Sequence, residues 1–394
     1  MLNVLRFIRA AYAVFSIYCV CLLVMSCSHR SDDCNSVKTY TFDNLEKGSI
    51  QDIFEDVELT EIKFEGEDYP RSIKTLLMDS DRIILFDSKV IYIYSSDGRL
   101  VSSSLSKRGN GPGEFGAPLG FSWNPYSKQI EVLTPMNMMF FDENFNFIRA
   151  SKLNTQFKSE EHPKPLFYNE IFDLSDHLHI LNPTGSSESP YRLMIYDSLS
   201  GEVVDEVAYG DEDVITNFNQ QPLTFFRLPD DKIMFHPRCV TPYTYEYDEA
   251  TRSLNKRIKV EAGEREISKA DIKAHEGDLF RYVLTCDRYI PMSTLVSSDR
   301  LLARFKQSDN NVDEFVVAFS NDKPEGLRFD MCNADRKSTF PVLYLIDENY
   351  TYGLNISHYI KDQPEIVLGD PVKKRQLEAM DEESWILLKY KFKD

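Results

Sequence analysis

The chain has 394 residues and is strongly acidic, with 63 Asp and Glu residues against 45 Lys and Arg and a net charge of −18. A surface of this sign repels phosphate backbones, so we expect no nucleic acid among its partners. The 26 Phe and 21 Tyr with moderate Gly and Pro exclude a disordered or collagen-like chain and are typical of a packed β protein.

The first residues have the pattern of an export signal. Arg6 and Arg9 form a short basic start, and an almost unbroken apolar run extends from residue 10 to residue 25. This run is shorter than the roughly 20 residues of a membrane-spanning helix and close to the length of a signal-peptide core. An uncleaved membrane helix is the alternative, but no basic stop-transfer cluster follows the run.

The segment Leu23-Val24-Met25-Ser26-Cys27 resembles the bacterial lipobox, in which a small residue precedes the cysteine that accepts the lipid. We therefore predict a signal peptide over residues 1–26 and a lipid-anchored tether over residues 27–46. Two or more acyl chains on Cys27 would hold the protein on a membrane. The expected location is the outer membrane of the cell envelope, on its periplasmic or its outer surface. The acidic run Ser31–Asp33 resembles surface-export tethers of Bacteroidota and equally fits a solvated linker.

The remainder of the chain repeats one unit about every fifty residues, a period typical of propeller blades. Each unit contains a short aromatic or β-branched strand, a turn rich in Asp, Asn, Gly or Ser, and a second strand. The most visible strands are Val90–Tyr94, Met138–Phe141, Leu193–Tyr196, Tyr243–Tyr247 and Phe315–Phe319, with Phe340–Ile346 and Trp385–Phe392 in a less regular last unit.

These strands are mainly apolar without clean alternation, which indicates burial on both faces. One blade cannot cover both of its faces, so neighbouring blades must stack and the ring must close. We therefore predict an all-β fold, a six-bladed β-propeller over residues 47–394, closed by pairing of Val57–Phe64 with Trp385–Phe392. A β-sandwich is the alternative, and the regular period argues against it.

One segment breaks the pattern. Residues Glu266–Val283 have helical spacing of apolar residues, and Ser268 with Asp271 forms a sequence typical of a capping box. We predict a short helical insertion here, in the fifth blade, and no other helix.

The most specific motif of the mature chain is the glycine-rich stretch from Arg108 to Gly120. It is similar to the linker of NHL-type propeller repeats, in which a Phe and a Pro-x-Gly lead into the next inner strand. Phe115 would plug between blades and Pro118 would set the entry angle. Together with the lipobox, the chain resembles the Bacteroidota family of six-bladed β-propeller lipoproteins, which are NHL- or TolB-like and largely of unassigned function.

No Ser or Cys of the sequence has the pattern of a catalytic nucleophile, so we predict a non-catalytic ligand-binding or protein-interaction scaffold of the cell envelope, with a protein, peptide or glycan as its ligand. In a propeller the outer-to-inner linkers and the loops between second and third strands gather on one face, where functional contacts concentrate. We predict that the ligand docks there, with polar contacts from Arg108, Asn110, Glu114, Asn182 and Arg238. The alternative is an NHL-like lyase or hydrolase with its site in the channel mouth. Such lyases need zinc-binding histidines on successive blades, which this sequence does not match.

No metal or cofactor is predicted. His177 and His179 lie two residues apart, so on a strand they would face the same way, but spacing supplies no third ligand. They are interpreted as ordinary strand histidines.

Lipidation provides the first test. We expect mass spectrometry of the mature N-terminus to show an acylated Cys27, because the thiol is the lipid acceptor. Cys27→Ser should release the protein from membranes, whereas the matched variant Cys34→Ser should leave it anchored. An N-terminus that retains Met1, or one cleaved elsewhere without lipid, would refute the prediction.

Overall fold

The computed structural model describes residues 37–42, 47–64, 70, 72–79, 81–153, 168–183, 192–209, 223–238, 241–275, 278, 281–282, 285–308, 312–320, 323–331 and 341–393. The chain divides into two units, Met1–Lys38 and Thr39–Asp394, and the second contains the fold. Cys27 and the signal segment lie outside the described residues. Among the described helices, none is sufficiently long and apolar to cross a membrane.

Strands account for most of the second unit. In chain order they are β1 (Lys38–Thr41), β2 (Phe54–Ile62), β3 (Thr75–Asp79), β4 (Arg82–Phe86), β5 (Ile91–Ser95), β6 (Leu100–Ser103), β7 (Gly120–Asn124), β8 (Gln129–Leu133), β9 (Asn137–Phe141), β10 (Phe147–Lys152), β11 (Tyr168–Asp173), β12 (Leu178–Pro183), β13 (Arg192–Asp197), β14 (Glu202–Ala208), β15 (Phe225–Arg227), β16 (Ile233–Phe235), β17 (Tyr243–Asp248), β18 (Ser253–Glu261), β19 (Tyr289–Val296), β20 (Arg300–Ser308), β21 (Val312–Ser320), β22 (Lys323–Asp330), β23 (Val342–Ile346), β24 (Tyr350–Ile356) and β25 (Trp385–Phe392).

These strands form six antiparallel sheets, which are the blades of a propeller. The first five blades follow chain order as β3–β6, β7–β10, β11–β14, β15–β18 and β19–β22. The sixth contains β23, β24 and β25 and is completed by β2 from the N-terminal end. The six-bladed fold predicted from the repeat is therefore confirmed.

Closure of the ring depends on the pairing of β2 with β25. The register runs from Phe54 opposite Phe392 to Ile62 opposite Trp385, which confirms the predicted pairing of these segments. Tyr390 anchors the seam: its ring is fully buried, and its hydroxyl donates to the carbonyl of Ile366 at 2.8 Å.

The hydrophobic core is divided among the spaces between neighbouring blades. On β9, Met139 and Phe141 lie in the cluster shared with the first blade, whereas Met138 and Phe140 lie in the cluster shared with the third. Successive side chains of a strand point to opposite faces, and here both faces are covered. This explains why the sequence shows apolar runs instead of alternation.

Short helices accompany the strands in the described residues. The α-helices with defined bounds are α1 (Ile50–Ile53), α2 (Lys269–Ala274), α3 (Ser357–Ile360) and α4 (Pro371–Glu378), and 3-10 helices span Ser104–Lys107, Gly263–Arg265 and Pro364–Val367. Helix α2 confirms the predicted helical start, with the Ser268 capping box in place, but it lies in the connection between the fourth and fifth blades. The expectation of no other helix is wrong. Helix α4, capped by Asp370, buries only Leu377 and lacks a helical stripe of apolar residues that a sequence pattern would reveal.

The fold begins inside the range predicted as tether. Strand β1 adds to the outer edge of the fourth blade beside β18, and Tyr40 and Phe42 are buried. The amide of Phe42 donates to the carbonyl of Glu261 at 2.9 Å. The chain then reaches the fifth blade, where the amide of Gly48 donates to the carbonyl of Arg328 at 2.7 Å.

Removing β25 should destroy the domain. A chain that ends at residue 384 leaves β24 and β2 without their shared partner, and the open ring exposes both sheet edges and the apolar blade faces. We expect loss of the cooperative unfolding transition in circular dichroism. A chain that ends at residue 393 keeps β25 and should unfold like the parent. An unchanged melting temperature in the shorter chain would contradict closure through β25.

Candidate functional site

A cavity of about 860 Å³ occupies the centre of the propeller. Its walls are formed mainly by inner strands, and its charged lining is predominantly basic, in contrast to the acidic chain as a whole. The charged residues that line it are Lys74, Arg227, Arg238, Arg304, Glu170 and Asp173. Four cations against two carboxylates give this cavity a positive potential inside a chain with a net charge of −18.

The carboxylate of Glu170 is the centre of a buried polar cluster at one end of the cavity. It accepts from the Thr224 amide at 2.7 Å and from the Thr224 hydroxyl at 2.6 Å. The side-chain amide of Asn182 donates to it at 3.5 Å, and Arg238 forms an ion pair with it at 3.4 Å. The side chains of Glu170, Asn182 and Arg238, which come from the third and fourth blades, therefore meet beside the cavity.

Chain geometry explains this convergence. Glu170 lies on β11 directly opposite Asn182 at the end of β12. Arg238 and Thr224 belong to the fourth blade, at the end of β16 and the start of β15 respectively. The structure thus brings together two of the residues predicted as ligand contacts, Asn182 and Arg238. Residues 184–191, which follow β12, lie outside the described residues.

The other three predicted contacts lie elsewhere. Arg108, Asn110 and Glu114 are exposed on the linker between the first two blades and are not among the residues that line the cavity. The carboxylate of Glu114 accepts from the amide of Gly111 at 2.9 Å, so it stabilises its own loop. Phe115 is buried between the blades and packs edge-on against Phe141, as expected of a plug.

A second polar cluster lies between the second and third blades. Asp173, at the far end of β11, and Glu131 on β8 both face the imidazole of His179 on β12. The His179 Nδ1 atom lies 2.8 Å from Asp173 Oδ1 and 3.2 Å from Glu131 Oε2. His179 and Glu131 have no exposed surface, and Asp173 is 6 % exposed at the cavity wall. Burial and the neighbouring Asp173 carboxylate raise the pKa of Glu131 well above its usual value.

The two histidines predicted to share a strand face are separated by the structure. His177 precedes β12 in the hairpin turn, where its amide is held by Ser175, and it is exposed beside Asp176. His179 is on the strand and fully buried. Only His179 lies on the strand, because β12 begins at Leu178, one residue later than the pattern indicated.

The residues that follow β16 have different surroundings. Arg238 lines the cavity, whereas His236 is 1 % exposed and its Nδ1 atom lies 3.0 Å from the Thr244 hydroxyl. Burial lowers the pKa of His236 to about 4. Cys239 lies outside the described residues, and Cys286 is a buried free thiol.

The fold and cavity define a class, the closed propeller with a central cavity. The chain belongs to the DUF5128 family, described as a 6-bladed beta-propeller, whose model matches residues 29–336. No curated protein matches the chain.

Solved structures share the fold at low sequence identity. A protein of Bacteroides fragilis NCTC 9343 described as exported is 13 % identical, with a TM-score of 0.68 over 91 % of this chain and 100 % of its own. A DUF4221 family member from Bacteroides vulgatus ATCC 8482 is 12 % identical, with a TM-score of 0.51 over 86 % of this chain and 98 % of its own. These similarities show a common fold.

The buried His236 predicts a pH dependence of stability. As the pH falls from about 6.5 to about 4, the unfolded chain takes up a proton at this position and the folded chain does not, so the free energy of unfolding decreases. The decrease is at most about 1.4 kcal/mol per pH unit. His236→Gln lacks this contribution. The difference in the free energy of unfolding between the parent and the variant should therefore become smaller in acid.

Denaturant titrations at pH 7 and pH 4.5 measure this difference. His177→Gln, at an exposed histidine, is the control for simple loss of an imidazole. A difference that is constant or grows in acid would contradict a neutral, buried His236.

Proposed function

We propose that this protein is a non-catalytic binding protein of the cell envelope that holds an anionic ligand in its central cavity. The basic lining of that cavity, in a strongly acidic chain, is the observation that carries the proposal. A positive potential in the cavity favours a ligand of opposite charge.

The volume and the lining residues of the cavity favour a small ligand, or the end of a polymer, over the surface of another protein. The volume of about 860 Å³ falls in the range of small-molecule sites. Aromatic side chains line the same cavity as the basic ones, which suits a ring-shaped, partly apolar ligand. The aromatic lining residues are Phe86, Phe121, Trp123, Phe172, Phe225 and Tyr344. An acidic sugar, with a carboxylate on a saturated ring, meets both requirements.

Arg238 is the proposed ligand-anchoring cation. Its ion pair with Glu170 holds it at the cavity wall, and the Asn182 amide donates to the same Glu170 carboxylate. Glu170 is in turn held by two hydrogen bonds from Thr224, so the arginine is supported by a pre-organised shell. Of the residues predicted from sequence as contacts, Asn182 and Arg238 are retained here, and Arg108, Asn110 and Glu114 belong to the outer linker.

Export and lipid anchoring complete the proposal. The lipobox at Cys27 supports attachment to a membrane, and the B. fragilis protein of the same fold is described as exported. A rigid ring on a tether would present the cavity to ligands outside the cytoplasm. The NHL-like character of the fold rests on the Arg108–Gly120 linker alone.

The enzyme alternative has less support. The residues described as lining the cavity include no histidine, whereas the zinc-dependent NHL-like lyases would need several there.

Calorimetric titration of the detergent-solubilised full chain tests the proposal, with a di-uronic acid as probe and the matching neutral disaccharide as its control. We expect binding of the acidic sugar only, weakened by salt. Arg238→Ala should weaken binding about ten- to a hundredfold, as expected for a charge-assisted hydrogen bond. Thermal unfolding checks that the variant still folds.

Arg108→Ala is the matched control, because it removes the same charge from the exposed linker, away from the cavity lining. It should leave the dissociation constant unchanged. Equal binding of both sugars, no binding of the acidic one, or a loss in the Arg108 variant in place of the Arg238 variant would contradict the proposal.

A further inference from the structure

We propose that Glu131, Asp173 and His179 form a binding site for one divalent transition-metal cation between the second and third blades. The donor set, two carboxylates and an imidazole, suits Zn²⁺ and Mn²⁺. This site is distinct from the Arg238 anion site and stands independently of it.

Geometry is the first argument. One ligand atom from each of these three side chains lies within 4.8 Å of the others. Ligands bound to one Zn²⁺ at about 2.0–2.2 Å lie about 3.3 Å apart in a tetrahedral arrangement. The observed separations from His179 Nδ1, 2.8 Å to Asp173 Oδ1 and 3.2 Å to Glu131 Oε2, require only small adjustments to admit an ion.

The outer partners of these side chains are the second argument. In each carboxylate, one oxygen faces the imidazole and the other accepts a hydrogen bond from a neighbouring side chain. Asn124 Nδ2 donates to Glu131 Oε1 at 2.8 Å, and Ser122 Oγ donates to Asp173 Oδ2 at 3.0 Å. Supporting hydrogen bonds of this kind orient the ligands of metal sites.

The imidazole is oriented in the same way. His179 Nε2 lies 3.1 Å from Ser198 Oγ, and Ser198 is itself fixed by two hydrogen bonds from Arg149 at 2.9 and 3.1 Å. Metal-binding histidines generally donate their second N–H to such a partner, which directs the other nitrogen to the ion. Here that nitrogen is Nδ1, the atom that faces both carboxylates.

Charge and access are the third argument. Two carboxylates that face each other in a buried space repel, and a cation relieves this repulsion. Asp173 and Ser122 also line the central cavity, so the site borders a space that an ion can enter from solvent.

The test uses the detergent-solubilised full chain after treatment with a chelator, titrated with Zn²⁺ and Mn²⁺ by calorimetry. We expect one tight equivalent of metal and a rise in the melting temperature on binding. Glu131→Gln is the decisive variant, because glutamine is isosteric with the protonated acid and can keep the Asn124 hydrogen bond, so folding is preserved. It should weaken metal binding about a hundredfold or more, as should His179→Gln.

His177→Gln is the matched control, since it removes a neighbouring exposed histidine that also has a carboxylate partner. It should bind metal like the parent. Ca²⁺, which prefers six to eight oxygen ligands, should bind only weakly at this mixed site. No tight metal binding by the parent, or binding that Glu131→Gln and His179→Gln leave unchanged, would overturn the proposal and identify the cluster as a hydrogen-bonded core.

Discussion

The blades of this protein are covered on both faces, and that single constraint governs the rest of the structure. A side chain that points out of a sheet packs against a neighbouring blade, so every polar group placed there must find a partner within its own blade or across the gap between blades. The Glu170 cluster joins the third and fourth blades, and the Glu131 cluster joins the second and third. The same constraint makes closure by β2 and β25 obligatory, because an open ring would leave two faces uncovered.

Strand β11 contributes a carboxylate to each of the two polar clusters. Glu170 and Asp173 are three residues apart on one strand, so they point to opposite faces and serve two different gaps. Both also border the central cavity. One inner strand therefore contributes the acid that positions Arg238 for an anion and one of the carboxylates proposed to bind a cation.

Much of the architecture could be predicted from the sequence, because the second and third strands of each blade are apolar runs followed by turn residues. The inner strands are harder to recognise: β15 has only three residues, and the sequence of β11, YNEIFD, lacks both an apolar run and a regular alternation. Since the cavity is built from these strands, Glu170 and Asp173 were missed. The sequence does not distinguish Glu131 from the other members of a set of 63 acidic residues, and only the fold shows that it faces His179. Arg238 was found because it follows a recognisable strand.

The path of the N-terminal segment has a mechanical consequence. This segment pairs with the outer edge of the fourth blade through β1, touches the fifth near Arg328, and enters the sixth as β2. Tension applied at the N-terminal end must first detach β1 and then the contact at Gly48 before it reaches the strand that closes the ring. The pairing of β1 and the contact at Gly48 would therefore break under tension before the ring opens, so the propeller and its cavity would be retained.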